Sequence, residues 1–344
     1  MKNTKRSMVG KRALRFLAFL FVLILGATSL TACNGGLNKS KSSKNQIAIY
    51  SNADDEAIEV MKKTLDENGY KGKYTIKTFG TSELGGKMFA EGKDMEADMI
   101  CMSSFYVESA QQKVGDMFVD LDVQKKASEE YASYYRPVLA NQGAIFYNTK
   151  EIKQAGVDVP KSIKELADSK YKGLVSVPDI TGSSTAWLMI QAIINEYGEA
   201  ETKNILNGIY KNAGDNLEQS GSGPIKKVLA GEAVIGFGLR HQAVVHKADG
   251  NPIDYVDPIE GDFLLTEGMA VLNHDDADKV KLAKEMANCI IEKGRAGMME
   301  YYPVALYDGE VTDKQHAASN TKKFSEPLTV ELLKKHTEIS ESAK

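Results

Sequence analysis

The chain has 344 residues, and its 43 Lys and Arg residues against 47 Asp and Glu residues give a formal net charge of −4 at pH 7. A chain with this charge and no basic stripe is not typical of a nucleic-acid-binding protein, and its length exceeds one typical hydrophobic core, so we predict two domains. It has three cysteines and no C-x-x-C pair, which excludes a disulfide scaffold, and we expect Cys101 and Cys289 to be buried thiols.

The N-terminal segment has the pattern of a secretion signal. It carries six basic groups and no acid, followed by the apolar run FLAFLFVLILGA and the sequence LTAC. LTAC is similar to the bacterial lipobox, in which cleavage before the cysteine precedes its lipidation; the alternative is a chance cysteine after an ordinary signal. We predict a signal peptide over residues 1–32, lipidation of Cys33 and a flexible tether over residues 33–45. Loss of the signal leaves 37 basic and 47 acidic groups, a net charge of −10, on a protein anchored to the extracytoplasmic face of the cell membrane.

Strands and helices alternate in the next part of the chain. NQIAIYSN predicts a strand, followed by a helical pattern that ends at Gly69; KYTIKTF predicts a strand, SELGGKMFAEG a helix and EADMICMSS a buried strand. This alternation predicts a parallel or mixed sheet with its functional loops at the C-terminal ends of the strands. Polar residues follow each strand, and we expect them to contact a ligand: Ser51, Asn52, Thr81, Ser82, Ser103 and Ser104.

The same pattern restarts near residue 143. GAIFYNTK, VSVPDI, AVIGFGL and DFLLTEGMAVLN predict strands, while SIKELADSKYKGL, SSTAWLMIQAIINEYG, IKKVLAGE and DADKVKLAKEMANCIIEKG predict helices. We therefore predict two α/β lobes, joined by the strands near residues 138–147 and 264–272.

The stretch DITGSSTAW places four small hydroxyls at one predicted strand-to-helix turn. These are Thr181, Ser183, Ser184 and Thr185, grouped around Gly182. Serine and threonine oxygens cap helix N-termini, and the unpaired amides of a first helical turn also bind anions. The pattern therefore predicts a helix cap, an anion-binding turn, or both.

Several stretches together resemble the solute-binding proteins of bacterial ABC importers. They are LTAC, IAIYSN, EADMICMSS, GAIFYNTK, the D-x-x-x-S-S-T-A-W turn, IKKVLAGEAVIGFG and FLLTEGMAVLN, which span roughly residues 46–310. Within that class the chain resembles the branch that includes ferric-iron, thiamine, polyamine and 2-aminoethylphosphonate binders. The resemblance implies an α/β, two-lobe, periplasmic-binding-protein-like fold of type II, with a ligand cleft at the hinge between the lobes.

The resemblance also implies an organisation and a set of partners. We expect residues 46–140 with 268–344 to form lobe 1, and residues 141–267 to form lobe 2. The expected partners are a small-molecule solute, the permease subunits in the membrane and the lipid anchor, and we expect a monomer without a cofactor.

Motifs of hydrolases, zinc peptidases and P-loop enzymes are absent, so we predict a protein that is not an enzyme. A ferric site requires phenolate or carboxylate oxygens, and iron-binding relatives carry adjacent tyrosines just after the strand that VIGFG matches. This chain has Leu239, Arg240 and His241 there. An arginine beside the site suits an anion, so we predict no metal ligands.

An anionic or zwitterionic solute fits the remaining pattern. The DITGSSTAW turn, Ser220 and Ser222 in the Gly/Ser turn QSGSGP, and the guanidinium of Arg240 would hold the anion. Glu267, with Tyr147 and Asp54 as further candidates, would meet an ammonium group. The sequence thus favours a receptor for 2-aminoethylphosphonate or a similar phosphonate. The alternatives are a receptor for ferric iron, thiamine or a polyamine and, in another class, a secreted hydrolase or adhesion module.

Overall fold

A computed structural model describes residues 46–312 and 317–344; the predicted signal peptide, Cys33 and the tether lie outside the described residues. The strands are β1 (Ile47–Ser51), β2 (Tyr74–Thr78), β3 (Met99–Ser103), β4 (Phe118–Val119), β5 (Arg136–Asn148), β6 (Val175–Pro178), β7 (Leu217–Glu218), β8 (Ile235–Leu239), β9 (Ile253–Val256), β10 (Asp262–Leu272) and β11 (Thr321–Lys322). The helices are α1 (Asp55–Leu65), α2 (Thr81–Glu91), α3 (Ser104–Val114), α4 (Glu151–Ala155), α5 (Thr185–Ala213), α6 (Gly223–Ala230), α7 (Arg240–Ala248), α8 (Ala277–Lys293), α9 (Arg295–Tyr301) and α10 (Val330–Glu341).

The strands form a mixed sheet in the order β2-β1-β3-β10-β5-β8-β6-β7, with β4 and β11 beside β10 and β9 beside β5. β1 pairs parallel with both β2 and β3, and β6 pairs parallel with β7 and β8. The helices α1, α2 and α5 follow parallel strands, so their N-termini lie at the C-terminal ends of those strands. The predicted alternation of strands and helices is confirmed at these elements.

Two long antiparallel strands connect the two groups of parallel strands. β10 pairs with β3 through residues 267–271 and with β5 along most of its length, while β5 continues to pair with β8 and β9. The register shifts between Glu267 and Gly268, so a β-bulge lies where β10 passes from one group to the other. The prediction that these two strands join the halves of the chain is confirmed.

One predicted helix, SIKELADSKYKGL, is wrong. Residues 164–167 and 169–171 form only short 3₁₀ turns. The side chain of Glu260 accepts hydrogen bonds from the amides of Ile163 and Lys164, and Asn212 donates to the carbonyls of Leu166 and Asp168. Because tertiary partners satisfy these backbone groups, the segment does not require a helical ladder.

The helices cover both faces of the sheet. α1 and α8 pack on β1 and β10 around one apolar cluster, while α5 packs on β6, β8 and β10 in a larger cluster that contains the fully buried Trp187. The expected boundaries assign residues 268–344 to lobe 1. In the structure α8 and α9 pack on α1 and β5, whereas α10 packs on α5. Cys101 and Cys289 are free and buried, as predicted.

Candidate functional site

A cavity of about 320 Å³ lies where several helices begin. The first turns of α1, α2, α5 and α6 border it, together with β10 and α7. Its lining is rich in polar groups: Asn52, Asp54, Asp55, Glu56, Thr81, Asn141, Ser183, Ser184, Thr185, Gln219, Ser220, Ser222, Lys226, Gln242, His246 and Glu267. We call Ser183, Ser184, Thr185, Ser220 and Ser222 the hydroxyl wall, and Asn52, Asp54 and Glu267 the acidic wall.

The side chain and carbonyl of Asp179 organise the turn that carries the hydroxyl wall. Its Oδ1 accepts hydrogen bonds from the amide and hydroxyl of Thr181 at 3.0 and 2.8 Å, and its carbonyl accepts from the amides of Gly182 and Ser183. Its Oδ2 pairs with Lys344 Nζ at 2.6 Å and accepts from Gln219 Nε2 at 3.3 Å. Burial opposes ionisation of Asp179, but the bonds from Lys344 and Thr181 outweigh it, so its pKa is lowered. The turn is therefore held from beneath by a charged carboxylate.

The hydroxyls of the turn have two roles: one caps α5, and another contacts a second helix that borders the cavity. Ser183 Oγ accepts from the amide of Thr185 at 3.3 Å, which satisfies one amide near the start of α5. Ser184 immediately precedes α5, yet its side chain makes no capping bond; its Oγ lies 3.5 Å from Thr81 Oγ1, at the start of α2. The structure thus combines a partial cap with a hydroxyl directed to another helix of the cavity.

Two glycines allow the turns of the hydroxyl wall to pack closely. A Cβ on Gly221 would lie 2.2 Å from Thr185 Oγ1, and a Cβ on Gly182 would lie 2.5 Å from the carbonyl oxygen of Gln219. Any larger residue would push these groups apart, because real Cβ atoms do not approach so closely. The Gly/Ser composition of both turns therefore follows from their contact.

The acidic wall brings together residues from distant parts of the sequence. Asn52 Nδ2 donates to Glu267 Oε1 at 2.9 Å and to Thr81 Oγ1 at 3.0 Å. Burial, and then the charges of Glu267 and the acids at the start of α1, raises the pKa of Asp54 to about 8. Burial also raises the pKa of Glu267 to about 7, although the bond from Asn52 opposes this change. Two carboxyls that resist ionisation near neutral pH therefore share the cavity.

An aromatic and imidazole pair lies next to the acidic wall. The rings of His241 and Tyr302 are 4.1 Å apart between centroids, and His241 Nε2 lies 4.0 Å from Asp54 Oδ2. Burial lowers the pKa of His241 to about 3, so its imidazole is neutral at physiological pH. His241 thus adds no positive charge beside the carboxyls.

The structure brings nine of the predicted site residues into the cavity lining. They are Asn52, Thr81, Gly182, Ser183, Ser184, Thr185, Ser220, Ser222 and Glu267. Asp54, a further candidate for an ammonium group, lies there as well.

Several other predicted residues lie elsewhere. Arg240 is buried in an ion pair with Asp257, with Nε 2.7 Å from Oδ1, and it does not line the cavity. Tyr147 borders a different hollow beside α4, and Ser104 borders a groove near α3.

The remaining predicted serines and Thr181 lie outside the cavity lining. Ser51 Oγ accepts from the amide of Ala53 at 3.0 Å, Ser103 is fully buried, and Ser82 is exposed. The hydroxyl of Thr181 donates within its own turn to Asp179. None of these four residues lines the cavity.

Sequence reasoning missed several lining residues. Gln219 adjoins the Gly/Ser turn and could have been included with it, and Gln242 and His246 lie four residues apart, a spacing that places them on one face of a helix. Asn141 lies inside β5 and gave no comparable signal. Within residues 46–312 and 317–344, no group of three or more His, Cys, Asp or Glu residues is arranged to hold a metal ion. No helix in that part of the chain is both long and apolar enough to span a membrane.

Comparisons with known proteins agree with this architecture. Residues 51–309 match the family model described as "Bacterial extracellular solute-binding protein". An uncharacterized protein from Haemophilus influenzae is 25% identical over 262 residues, which cover 72% of this chain and 73% of that protein.

Two solved structures show the fold. The periplasmic binding protein AfuA from Actinobacillus pleuropneumoniae, solved with exogenous fructose-6-phosphate, has a TM-score of 0.66 at 20% identity, covering 87% of this chain and 95% of AfuA. A ferric binding protein from Campylobacter jejuni has a TM-score of 0.67 at 17% identity, covering 87% and 99%. The predicted two-lobe fold of type II periplasmic binding proteins is confirmed.

Proposed function

Because the chain belongs to the bacterial extracellular solute-binding protein family, we propose that its cavity captures a small anionic or zwitterionic solute, best represented by 2-aminoethylphosphonate. Proteins of this family are the solute-binding components of ABC importers, which bind a small molecule and interact with a permease. The observation that carries the proposal is the chemical difference between the two walls of one cavity. One wall offers hydrogen-bond donors and helix N-termini, and the other offers carboxyl oxygens.

The hydroxyl wall suits the phosphonate group. The amides of Thr185 and Ala186 in the first turn of α5 already donate to the hydroxyl and carbonyl oxygens of Ser183. The dipoles of α5 and α6 still favour an anion at the N-termini of these helices. Ser184 and Thr185 add hydroxyls, and Lys226, in the first turn of α6, adds a positive charge to the lining. A tetrahedral oxyanion accepts hydrogen bonds from several directions, which matches donors that converge from two helices.

The acidic wall suits the amino group of the same solute. Glu267 is only 2% exposed, and Asp54 lies beside it at the start of α1. A buried carboxylate is stable only when it is paired or hydrogen-bonded, and an ammonium group supplies both charge and donors. A solute with an anion at one end and an ammonium at the other would satisfy both walls.

The structural relatives include proteins that bind chemically different solutes. AfuA was solved with fructose-6-phosphate, whose phosphate group is a tetrahedral oxyanion like a phosphonate, and this supports the anionic end of the proposal. The Campylobacter jejuni relative is a ferric binding protein, so ferric iron is the competing solute.

Mass spectrometry of the natively purified protein tests the proposal. We expect a retained small molecule that contains phosphorus, and we expect titration calorimetry to detect 2-aminoethylphosphonate binding together with a rise in melting temperature. Ligand contacts to both lobes would also shift the population toward the closed form, seen as a smaller particle in solution scattering. A coloured, chelator-sensitive protein would support the ferric alternative. Failure to respond to phosphonates, phosphate esters, thiamine, polyamines or ferric citrate would contradict a solute-receptor role.

The lipid anchor is a separate proposal. Cys33 follows LTA in the lipobox-like sequence, and lipidation there would tether the protein to the extracytoplasmic face of the membrane. We expect Cys33→Ser to fold normally and to move from the membrane fraction to the soluble fraction in cell fractionation. Equal membrane retention of Cys33→Ser and the parent would contradict the anchor.

A further inference from the structure

The two carboxyls of the acidic wall have few donors available to them. Asn52 Nδ2 donates to Glu267 Oε1, and the same nitrogen also contacts Thr81 Oγ1. In the part of the chain that the structure describes, the basic group nearest to Asp54 is the neutral imidazole of His241, with Nε2 4.0 Å from Oδ2. Within the described residues, no hydrogen bond from a cationic side chain reaches either carboxyl.

The cavity also contains amide oxygens that lack a hydrogen-bond donor. Asn141 and Gln242 both line the cavity and are only 7% and 6% exposed. The side-chain oxygen of each is buried without a hydrogen-bond donor among the described residues, and so is Oδ1 of Asn52. Buried acceptors normally have a partner, because an unsatisfied polar atom costs stability. Together these oxygens and the two carboxyls call for a ligand group with several N–H donors and a positive charge, which describes an ammonium group.

The charged groups around Asp54 do not neutralise it. Asp55 and Glu56 lie on the same helix, and Glu267 approaches from β10. Among the described residues, Lys226 of α6 is the basic group whose charge lowers the pKa of Asp54, and it is exposed to solvent. The titratable side chains near the two carboxyls are uncharged and add no positive charge. They are Cys101, Tyr135 and Tyr302 near Glu267, and His241 near Asp54.

We propose that the acidic wall is a cation subsite in which Asp54 and Glu267 hold protons while the cavity is empty and release them when the ammonium group of the solute enters. In this exchange a carboxyl O–H bond breaks, the proton passes to solvent, and the carboxylate accepts an N–H of the ammonium group. The raised pKa values of both carboxyls agree with this behaviour. The inference rests on the proposed function, which it extends by linking solute affinity to pH.

The proton exchange predicts the direction in which affinity changes with pH. Below about pH 7 the ammonium group must displace protons, so its binding is opposed; as pH rises through the pKa values of about 7 and about 8, that opposition is lost. Affinity for a solute with an ammonium group therefore increases with pH over this range. An otherwise similar solute without the amino group has no such contribution.

Calorimetry in buffers of different ionisation enthalpy tests the exchange. We would titrate the native protein at pH 7 with 2-aminoethylphosphonate and with ethylphosphonate, which has the same acid but no amine. We expect the amino compound to release about one proton more than ethylphosphonate. We expect Glu267→Gln to reduce that difference and to weaken 2-aminoethylphosphonate binding roughly tenfold, while ethylphosphonate binds no more weakly than before. We expect the double substitution Asp54→Asn with Glu267→Gln to abolish the difference, because both carboxyls release a proton in the proposed exchange. Equal affinity and equal proton release for the two phosphonates would overturn the inference.

Two further arms separate this inference from the proposed function. If neither phosphonate binds but 1,4-diaminobutane binds with proton release, the phosphonate proposal fails and the cation subsite stands. If none of the three compounds binds, the decisive measurement is the infrared difference spectrum between the empty native protein and Glu267→Gln at pH 6. A protonated-carboxyl band in the native protein supports proton storage, and its absence overturns the inference.

A matched control removes a carboxyl from the same region without touching the subsite. Glu59 lies on α1, one turn beyond Asp54, and its side chain is 72% exposed in a pair with Lys62. We expect Glu59→Gln to match the parent in proton release and in the infrared spectrum. Gln at position 267 keeps the oxygen that accepts from Asn52, so Glu267→Gln is expected to fold, and a cooperative melt would verify it.

Discussion

The hydroxyl wall and the acidic wall border the same cavity but are built in different ways. The hydroxyl wall comes from two short Gly/Ser turns, and Asp179 fixes one of them through bonds that are complete without a ligand. The acidic wall joins Asn52 to Glu267 across most of the sequence, leaves the side-chain oxygen of Asn52 without a donor among the described residues, and pairs neither carboxyl with a cationic side chain there. Burying hydroxyls costs less free energy than burying carboxylates. Buried carboxyls are stable only when they are protonated or paired with a cation. The first wall is therefore preformed, and the second is completed by its ligand.

Neutralising the whole acidic wall should have the largest effect on affinity. The double substitution Asp54→Asn with Glu267→Gln removes both charges but keeps the shapes of the side chains. Because each charge-assisted hydrogen bond contributes on the order of 1.5–3 kcal/mol, we expect roughly a hundredfold weaker binding of 2-aminoethylphosphonate by calorimetry. Ethylphosphonate provides the control and should lose little affinity. A similar loss of affinity for both compounds would contradict the assignment of the amino group to the acidic wall and the phosphonate group to the hydroxyl wall.

Removing one hydroxyl from the other wall should have the next largest effect. We expect Thr185→Ala and Ser183→Ala each to weaken binding of both phosphonates by roughly tenfold to a hundredfold, because the anion would lose a donor or a fixed amide. A role limited to starting α5 predicts a different result, about 1 kcal/mol lost from the free energy of unfolding with affinity unchanged. Thermal melts and calorimetry on the same variants distinguish the two outcomes.

The acidic wall should make the free energy of unfolding depend on pH even when no ligand is bound. In the folded chain the pKa of Glu267 is raised to about 7 and the pKa of Asp54 to about 8, above the ordinary range of both carboxyls. The folded state then binds more protons than the unfolded state, so these groups make the free energy of unfolding fall as pH rises from about 5 to about 8. The slope is at most about 1.4 kcal/mol per pH unit for each group. Chemical denaturation should show a shallower slope in Glu267→Gln, and an unchanged slope would contradict the assignment.

Arg240→Ala should have the smallest effect on affinity. Its guanidinium is bonded to Asp257, with the two side chains 4% and 10% exposed, and it lies outside the cavity lining. Removing one partner of a buried ion pair leaves an uncompensated charge, so we expect a loss of about 3 kcal/mol or more in the free energy of unfolding. Once folded, the variant should bind 2-aminoethylphosphonate within about twofold of the parent. A tenfold loss of affinity would indicate that Arg240 contributes to solute binding.

The sequence predicts local features of this molecule better than long-range ones. The alternation of strands and helices, the turn at residues 179–187 and the Gly/Ser turn after it depend on neighbouring residues, and all three are recognisable from spacing alone. The partner of Arg240 is 17 residues away, and the contact between Asn52 and Glu267 spans 215 residues. No local pattern encodes such contacts, so charged and polar residues near the predicted cleft could not be divided into those that face it and those that pair elsewhere. The short turns at residues 164–171 depend in the same way on Asn212 and Glu260.

The ion pair between Lys344 and Asp179 also has a use in measurement. It ties the segment after α10 to the underside of the turn that carries Ser183 and Thr185. A polarity-sensitive dye attached through Ser342→Cys, on an exposed position next to this pair, would report changes in the turn as fluorescence. The two native thiols in the described part of the chain, Cys101 and Cys289, are buried and would not compete for the label. In a chain that also lacks Cys33, the protein would become an optical sensor for its own solute.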